Sequence, residues 1–141
     1  MTRAFESTTE IDQPVARVWH TLTDWDNAPR WMRGIDTMSS DADTAVGATI
    51  TFRTRGKERT STISAVDPER SVTLDSVQGG VTARYVYSLE PAGGRTTARL
   101  TADVVAAGRW ALLGPLVRAV IRRTDGGQLE ALRAVLETPR T

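Results

Sequence analysis

Side chains able to do nucleophilic, metal or acid–base chemistry are scarce in this sequence, and the scarcity constrains function. His20 is the single histidine and there is no cysteine. One imidazole without thiolates cannot assemble the usual transition-metal sets, so no metal and no cofactor are expected. His20 falls opposite the apolar stripe of its own segment and reads as a solvated surface residue. No Ser–His–Asp set can then form around it in an interior. Gly79-Gly80 and Gly93-Gly94 read as turns, since neither pair opens a helix as a phosphate loop does. The polar residues that strand and helix parity turn inward are Thr54, Ser61, Ser76, Tyr85, Tyr87, Thr124 and Gln128, with no charged residue among them. Buried polar groups need partners from protein, water or ligand. An unperturbed tyrosine titrates near ~10, so it donates hydrogen bonds before it acts as a base at neutral pH. Such a set suits holding a ligand better than transforming one.

Gln128 is the most informative member. Thr124 can return its hydroxyl to its own helix, whereas Gln128 has donors and an acceptor with no local outlet. Gly127 beside it would let sheet or ligand approach the backbone. Gln128 is therefore expected to be at least partly buried, to line the pocket, to meet Tyr85 or Tyr87, and to fix the polar end of a ligand. On that reading Gln128→Leu keeps or raises stability and weakens binding. Arg53, Arg55, Lys57 and Arg59 form a basic hairpin. With Arg53 and Arg55 on the wet face, it reads as a charged edge that discourages strand-to-strand aggregation. An acidic or anionic-lipid partner is the other reading. Without interleaved aromatics it does not read as a nucleic-acid surface.

These residues need a scaffold, and the hydrophobic period supplies one. Arg3 to Asp12 alternates as a strand, with Phe5, Ser7, Thr9 and Ile11 on the inner side and Ala4 on the wet side. Val15, Val18, Trp19 and Leu22 then recur at helical spacing. Pro14 suits the first turn, with Asp12 or Gln13 at the cap. Thr23-Asp24 can cap a second short helix that Pro29 ends. Trp19 is expected in the core. Trp25 and Trp31 are placed at the end of a pocket, where Met32, Ile35 and Met38 follow as a pliable rim. Alternating stretches then run over 34–38, 48–55, 58–66, 72–76, 81–89 and 98–104, separated by short polar or glycine turns. Short turns imply an antiparallel meander. After Gly108 the period becomes helical, with Trp110, Leu113, Val117, Val120, Ile121, Thr124, Gln128, Ala131, Leu132 and Val135 on one side. Arg118, Arg122, Glu130, Arg133 and Glu137 fall opposite. Gly126-Gly127 inside this helix would cost about 1–2 kcal/mol relative to alanines, so the helix bends there or something approaches closely. Residues 138–141 read as a frayed tail.

Composition excludes several classes. The chain has 141 residues, 40% hydrophobic and 25% charged, with net charge +1. One globular domain spanning 1–141 is expected, without a disulfide framework. A nearly neutral chain is not built mainly to bind nucleic acid. Apolar runs far shorter than ~18 residues exclude stable membrane insertion through a helix. No apolar leader opens the sequence, so a cytoplasmic location is expected. Oligomeric state is not readable.

The element order is strand, two short helices, about six strands and a long helix. With Ile-Asp-Gln-Pro-Val-Ala-Arg-Val-Trp at 11–19, Thr-Asp-Trp-Asp-Asn-Ala-Pro-Arg-Trp at 23–31 and Leu-Gly-Pro-Leu-Val-Arg at 113–118, the whole chain resembles the START-like (SRPBCC) superfamily. Within it the likeness is to the polyketide cyclase/dehydrase and lipid-transport group. The resemblance implies an α+β helix-grip fold, in which a curved antiparallel sheet of about seven strands wraps a long C-terminal helix. It also implies a hydrophobic cavity, and it carries over no catalytic residue. The expected pocket residues are Trp31, Met32, Met38, Phe52, Tyr85, Tyr87, Val117, Ile121, Thr124 and Gln128. The leading expectation is binding or transport of a small hydrophobic molecule (polyketide, isoprenoid or lipid-like). The alternatives are a metal-free cyclase, aromatase or dehydratase in the same cavity, favoured by any charged residue inside, and a co-chaperone-type interaction module.

Overall fold

The computed structural model describes residues 2–32 and 34–137, and the side chains of all of these except Arg109 and Trp110. The expected tail at 138–141 and the inward placement of Trp110 therefore lie outside the described residues. The strands are β1 (Thr2–Ile11), β2 (Thr37–Ser40), β3 (Thr49–Thr54), β4 (Lys57–Asp67), β5 (Ser71–Gln78), β6 (Val81–Ala92) and β7 (Arg95–Ala106). They form one open antiparallel sheet in the order β1-β7-β6-β5-β4-β3-β2. Helix α1 (Val15–Leu22) and a 3-10 turn (Trp25–Arg30) follow β1, while a second 3-10 turn (Gly108–Leu113), α2 (Gly114–Asp125) and α3 (Gln128–Glu137) follow β7. This is the helix-grip arrangement.

Register aligns the concave face in rows. Phe5, Ala102, Tyr85, Leu74 and Ile63 face one another across successive strands. Tight loops hold this register: Gly79-Gly80 joins β5 to β6, and Arg55-Gly56, both at positive φ, joins β3 to β4. In the core, Ile11, Val18, Ile50, Ile63, Val72, Leu100 and Leu132 are wholly buried.

Several local expectations are corrected. Ala4 is buried because the ladder slips between Arg3 and Phe5, and a bulge turns two consecutive side chains the same way. Pro14 is the N-cap of α1 and not its first turn, and no side chain caps the helix. Pro29 lies inside the 3-10 turn and does not end it. The strand expected at 34–38 is displaced to Thr37–Ser40. Trp19 is only half-buried, whereas Trp31 and Trp25 are at 2% and 5% exposure. Trp25 is anchored through its indole N–H to Thr44 Oγ1 at 3.0 Å.

The long helix is two helices. α2 ends at Asp125 and α3 begins at Gln128, with Gly126-Gly127 between them. α3 is tied to β1 and its exit by Thr9 Oγ1 donating to Glu130 Oε1 (2.7 Å), Asp12 N–H donating to Glu137 Oε2 (3.1 Å) and Gln13 Nε2 donating to the Leu136 carbonyl (3.2 Å). α2 lies against β1 and β7. There Arg122 Nε donates to the Ala4 carbonyl at 3.0 Å, so Arg122 meets the sheet and is not wholly outward. α2's covered side is Gly114, Val117, Arg118, Ile121 and Asp125, whereas Leu113, Val120 and Thr124 are exposed. Leu129 and Leu136 join Leu132 in the core in addition to the expected stripe. Among the described residues no helix is long and apolar enough to cross a membrane.

Candidate functional site

At the helix break the chain closes a buried polar network on β6. Tyr85 and Tyr87 are alternate residues of that strand and point the same way, toward the junction of α2 and α3. Tyr85 donates its hydroxyl to Asp125 Oδ2, and Tyr87 donates to Gln128 Oε1 at 2.6 Å. Gln128 Nε2 in turn donates to Asp125 Oδ1 at 3.3 Å. Asp125 is the last residue of α2 and Gln128 the first of α3, so the glycine pair brings both side chains to the same strand. Aromatic edges frame the network. Phe5 meets Tyr85 edge-on at 6.4 Å, and Trp31 meets Tyr87 at 6.1 Å and 88°.

The electrostatics follow from burial. Burial pushes the Asp125 carboxyl above its ordinary 3.8, against the opposing hydrogen bonds from Tyr85 and Gln128. Burial also raises both tyrosines far above the ordinary phenol, and the nearby Asp125 charge adds to this. Both phenols therefore remain donors, and Asp125 is the one carboxyl of the network. Its position inside overturns the expectation of an uncharged interior.

Arg59 borders the same face. It stands directly opposite Phe52 in the β3–β4 register and so shares the concave face with it. Its guanidinium donates to Gln78 Oε1. Arg59 is half-buried, and its hydrogen bond to Gln78 lies at the surface.

The ten expected pocket residues separate into three groups. Trp31, Thr124 and Gln128 come together with Arg123, Gly127, Glu130 and Ala131 around a cleft of about 400 Å³ at the helix break. Gln128 is 7% exposed and Trp31 2%, whereas Thr124 lies on the solvent side of α2 and not under it. The Trp31 indole N–H is buried without a hydrogen-bond partner among the described residues. Phe52, Tyr85, Val117 and Ile121 pack against the core and are each only partly buried. Met32, Met38 and Tyr87 are packed into the core, so neither methionine forms a loose rim. His20 is exposed. Asp125 is the residue that sequence reasoning missed, and Arg59, read there as part of the basic hairpin, was not assigned a face. Asp125 follows Ile121 by four positions, but Thr124 follows it by three, so helical spacing alone did not single Asp125 out. Arg59 has the same strand parity as Ser61 and Ile63, both read as inward.

Known structures share this architecture throughout. A START superfamily protein from Mycobacterium smegmatis superposes with TM-score 0.74 at 15% identity, covering 94% of this chain and 96% of that one. The Zhui aromatase/cyclase from Streptomyces sp. R1128 gives 0.75 at 18% identity, over 94% and 92% of the two chains. A Polyketide_cyc-like protein from Corynebacterium glutamicum gives 0.66 at 20% identity, over 96% and 91%. At such identities the likeness is one of fold. No curated protein sequence matches the chain. The sequence itself matches one family over residues 2–137, nearly its entire length, and the chain thus belongs to the polyketide cyclase/dehydrase and lipid transport family.

Proposed function

We propose that the protein reversibly binds a small, mostly apolar molecule carrying one or two polar groups, of polyketide, isoprenoid or lipid-like type. The molecule lies between the concave face and α2, with its polar end toward Gln128. The observation that carries this reading is uneven filling of the grip. Ile50, Ile63 and Leu132 are at 0% exposure, yet Phe52 and Tyr85 on the sheet and Val117 and Ile121 on α2 retain accessible surface. Apolar side chains on opposed faces that stay open to water mark space for an apolar guest. The unpartnered Trp31 N–H beside Gln128 offers such a guest a donor. Native mass spectrometry of the protein from its own host, with displacement of a bound naphthalene-sulfonate dye by the extracted compound, tests the reading. Absence of both a co-purifying mass and saturable dye binding would end it.

Asp125 favours a second reading, a cyclase or dehydratase in the same space. A buried carboxyl with a raised pKa beside a donating tyrosine is able to take and return a proton at carbon next to a carbonyl. Both of its oxygens are already engaged by Tyr85 and Gln128, and it does not line the cleft. That is why binding is placed first. Asp125→Asn separates the two, since binding survives in a carrier and turnover of a poly-β-keto chain is lost in an enzyme.

A further inference from the structure

Of the partly buried charged side chains among the described residues, Arg118 alone has no hydrogen bond and no ion pair. Asp24 holds Asn27, Asp75 holds Arg84, Asp103 holds Arg3, and Arg133 holds Glu137. Asp125 is engaged by Tyr85 and Arg59 by Gln78. Arg118 nevertheless turns toward the sheet. Around α2, at ~100° per residue, it lies about 20° from Asp125 and about 40° from Arg122. Asp125 meets Tyr85 on β6 and Arg122 meets the Ala4 carbonyl on β1, so Arg118 leaves the helix between two side chains that reach the sheet. Its Nη1 lies 3.1 Å from where a Cβ of Gly114 would stand, and Gly114 is buried. The glycine one turn earlier thus gives the guanidinium its room on the covered side of α2.

The sheet beneath offers it no counter-charge. Gln128 meets Tyr87 and Asp125 meets Tyr85, so α2 and β6 advance in the same sense. Arg118 precedes Asp125 by about 10 Å of helix, or about three residues of strand. That level of the sheet is the one around Ala83, which stands between Ser76 and Val104 in the register. The Ser61 and Ser76 hydroxyls on this face make no hydrogen bond among the described residues. The acids beside these positions in sequence, Asp75 and Asp103, alternate to the other face and are held by Arg84 and Arg3. A covered cation without an acceptor is unfavourable, and a guanidinium matches an oxyanion in both charge and shape. We infer that Arg118 receives a carboxylate or phosphate group of the bound molecule, so that the guest is an amphiphilic acid with its charge at Arg118 and its neutral polar group toward Gln128. This rests on the reading that the grip holds an apolar guest, and it adds the guest's charge and orientation.

Isothermal titration calorimetry of the full chain with decanoate, decyl phosphate and decanol tests this, since the three share one chain and differ in head group. Both anions should bind about tenfold tighter than the alcohol. Either order between the two anions supports the inference and names the source of the charge. Arg118→Gln should weaken both anions about tenfold and leave decanol unchanged. Arg118→Lys should keep part of the preference, because it keeps the charge and loses the fork. Arg99→Gln, which removes one exposed arginine from the other face of the sheet, should change none of the three. Without any guest, Arg118→Gln should melt no lower than the parent, because it removes an uncompensated charge. An arginine that serves only the fold would do the reverse, lowering the melt and weakening all three alike, and that result would overturn the inference. Equal binding of acid and alcohol would also overturn it, while leaving the apolar-guest reading in place. Binding of none of the three would overturn it too, and the co-purifying mass then decides the reading on which it rests.

Discussion

Replacing each glycine of the helix break by alanine should move stability in opposite directions. Gly126 has φ −63° and ψ −19°, a conformation open to any residue, and its N–H donates to the Arg122 carbonyl at 2.9 Å. In such a backbone alanine is ordinarily better than glycine by about 0.4–1 kcal/mol. At Gly126, however, a Cβ would stand 2.5 Å from that same Arg122 carbonyl oxygen and 3.5 Å from its carbon. Relieving this contact must lengthen the hydrogen bond or change the angle between α2 and α3, an overpacking cost of about 1–3 kcal/mol. The net expectation for Gly126→Ala is a loss of about 1–2 kcal/mol. At Gly127 a Cβ meets nothing within 4 Å and φ is not in the left-handed region. Gly127→Ala should therefore gain about 0.4–1 kcal/mol. Urea melts with equal m-values read the difference directly. The Gly126 variant should also lose near-ultraviolet circular dichroism from the Trp31–Tyr87 pair, because α3 shifts with Gln128. Equal stabilities, or a more stable Gly126 variant, would refute the claim that the Arg122 carbonyl contact enforces the break.

Other outcomes follow from burial and pairing. Trp31→Ala should cost about 3–5 kcal/mol and Trp19→Ala clearly less, the reverse of the order expected from sequence, as thermal melts of the two variants will show. Gln128→Leu should destabilise by about 1–3 kcal/mol and not stabilise, because it strips Tyr87 of its acceptor and Asp125 of a donor; adding Tyr87→Phe should recover part of the loss in urea melts. Asp125 has a folded pKa above its ordinary 3.8, so the stability it contributes is complete below that value and is lost as pH rises through the folded pKa. Asp125→Asn should remove that loss, raising stability near neutrality relative to acid; Asp75 and Glu137, whose pKa values are lowered, act in the opposite sense in both proteins and cancel in the difference.

Strands were legible because their signal is local and repeats every second residue. Val72, Leu74, Ala83, Tyr87, Leu89, Ala98, Leu100, Ala102 and Val104 all face the interior as parity places them. Parity fails where the ladder gains a residue. The bulge after Arg3 buried Ala4, and its freed carbonyl is met by Arg122, which is 118 positions away. Nothing near Ala4 in the sequence announces that partner. The tryptophans were misplaced for a related reason. Trp19 lies squarely on the stripe of α1 yet is only half-buried where α1 meets β6 and β7, whereas the loop carrying Thr44 folds back over Trp25.

The polar network shows where one-dimensional reading stops. Around α2 each residue turns ~100°, so Asp125 lies about 40° from Ile121 on one side and Thr124 about 60° on the other. Period alone does not choose between them, and polarity favours burying the neutral threonine. What decides is the flank on which β6 lies. α2 is docked on β1 and β7, which turns Asp125 toward Tyr85 and leaves Thr124 in solvent. A buried carboxylate is tolerable there because donors reach both of its oxygens. Gln128 reaches Asp125 from the other side of the break at Gly126-Gly127, where Gly126 leaves no room for a Cβ against the Arg122 carbonyl. The glycines were legible as a bend and Gln128 as a buried polar group. Their common purpose, to close two helices on one carboxylate, appears only when the sheet is present to receive them.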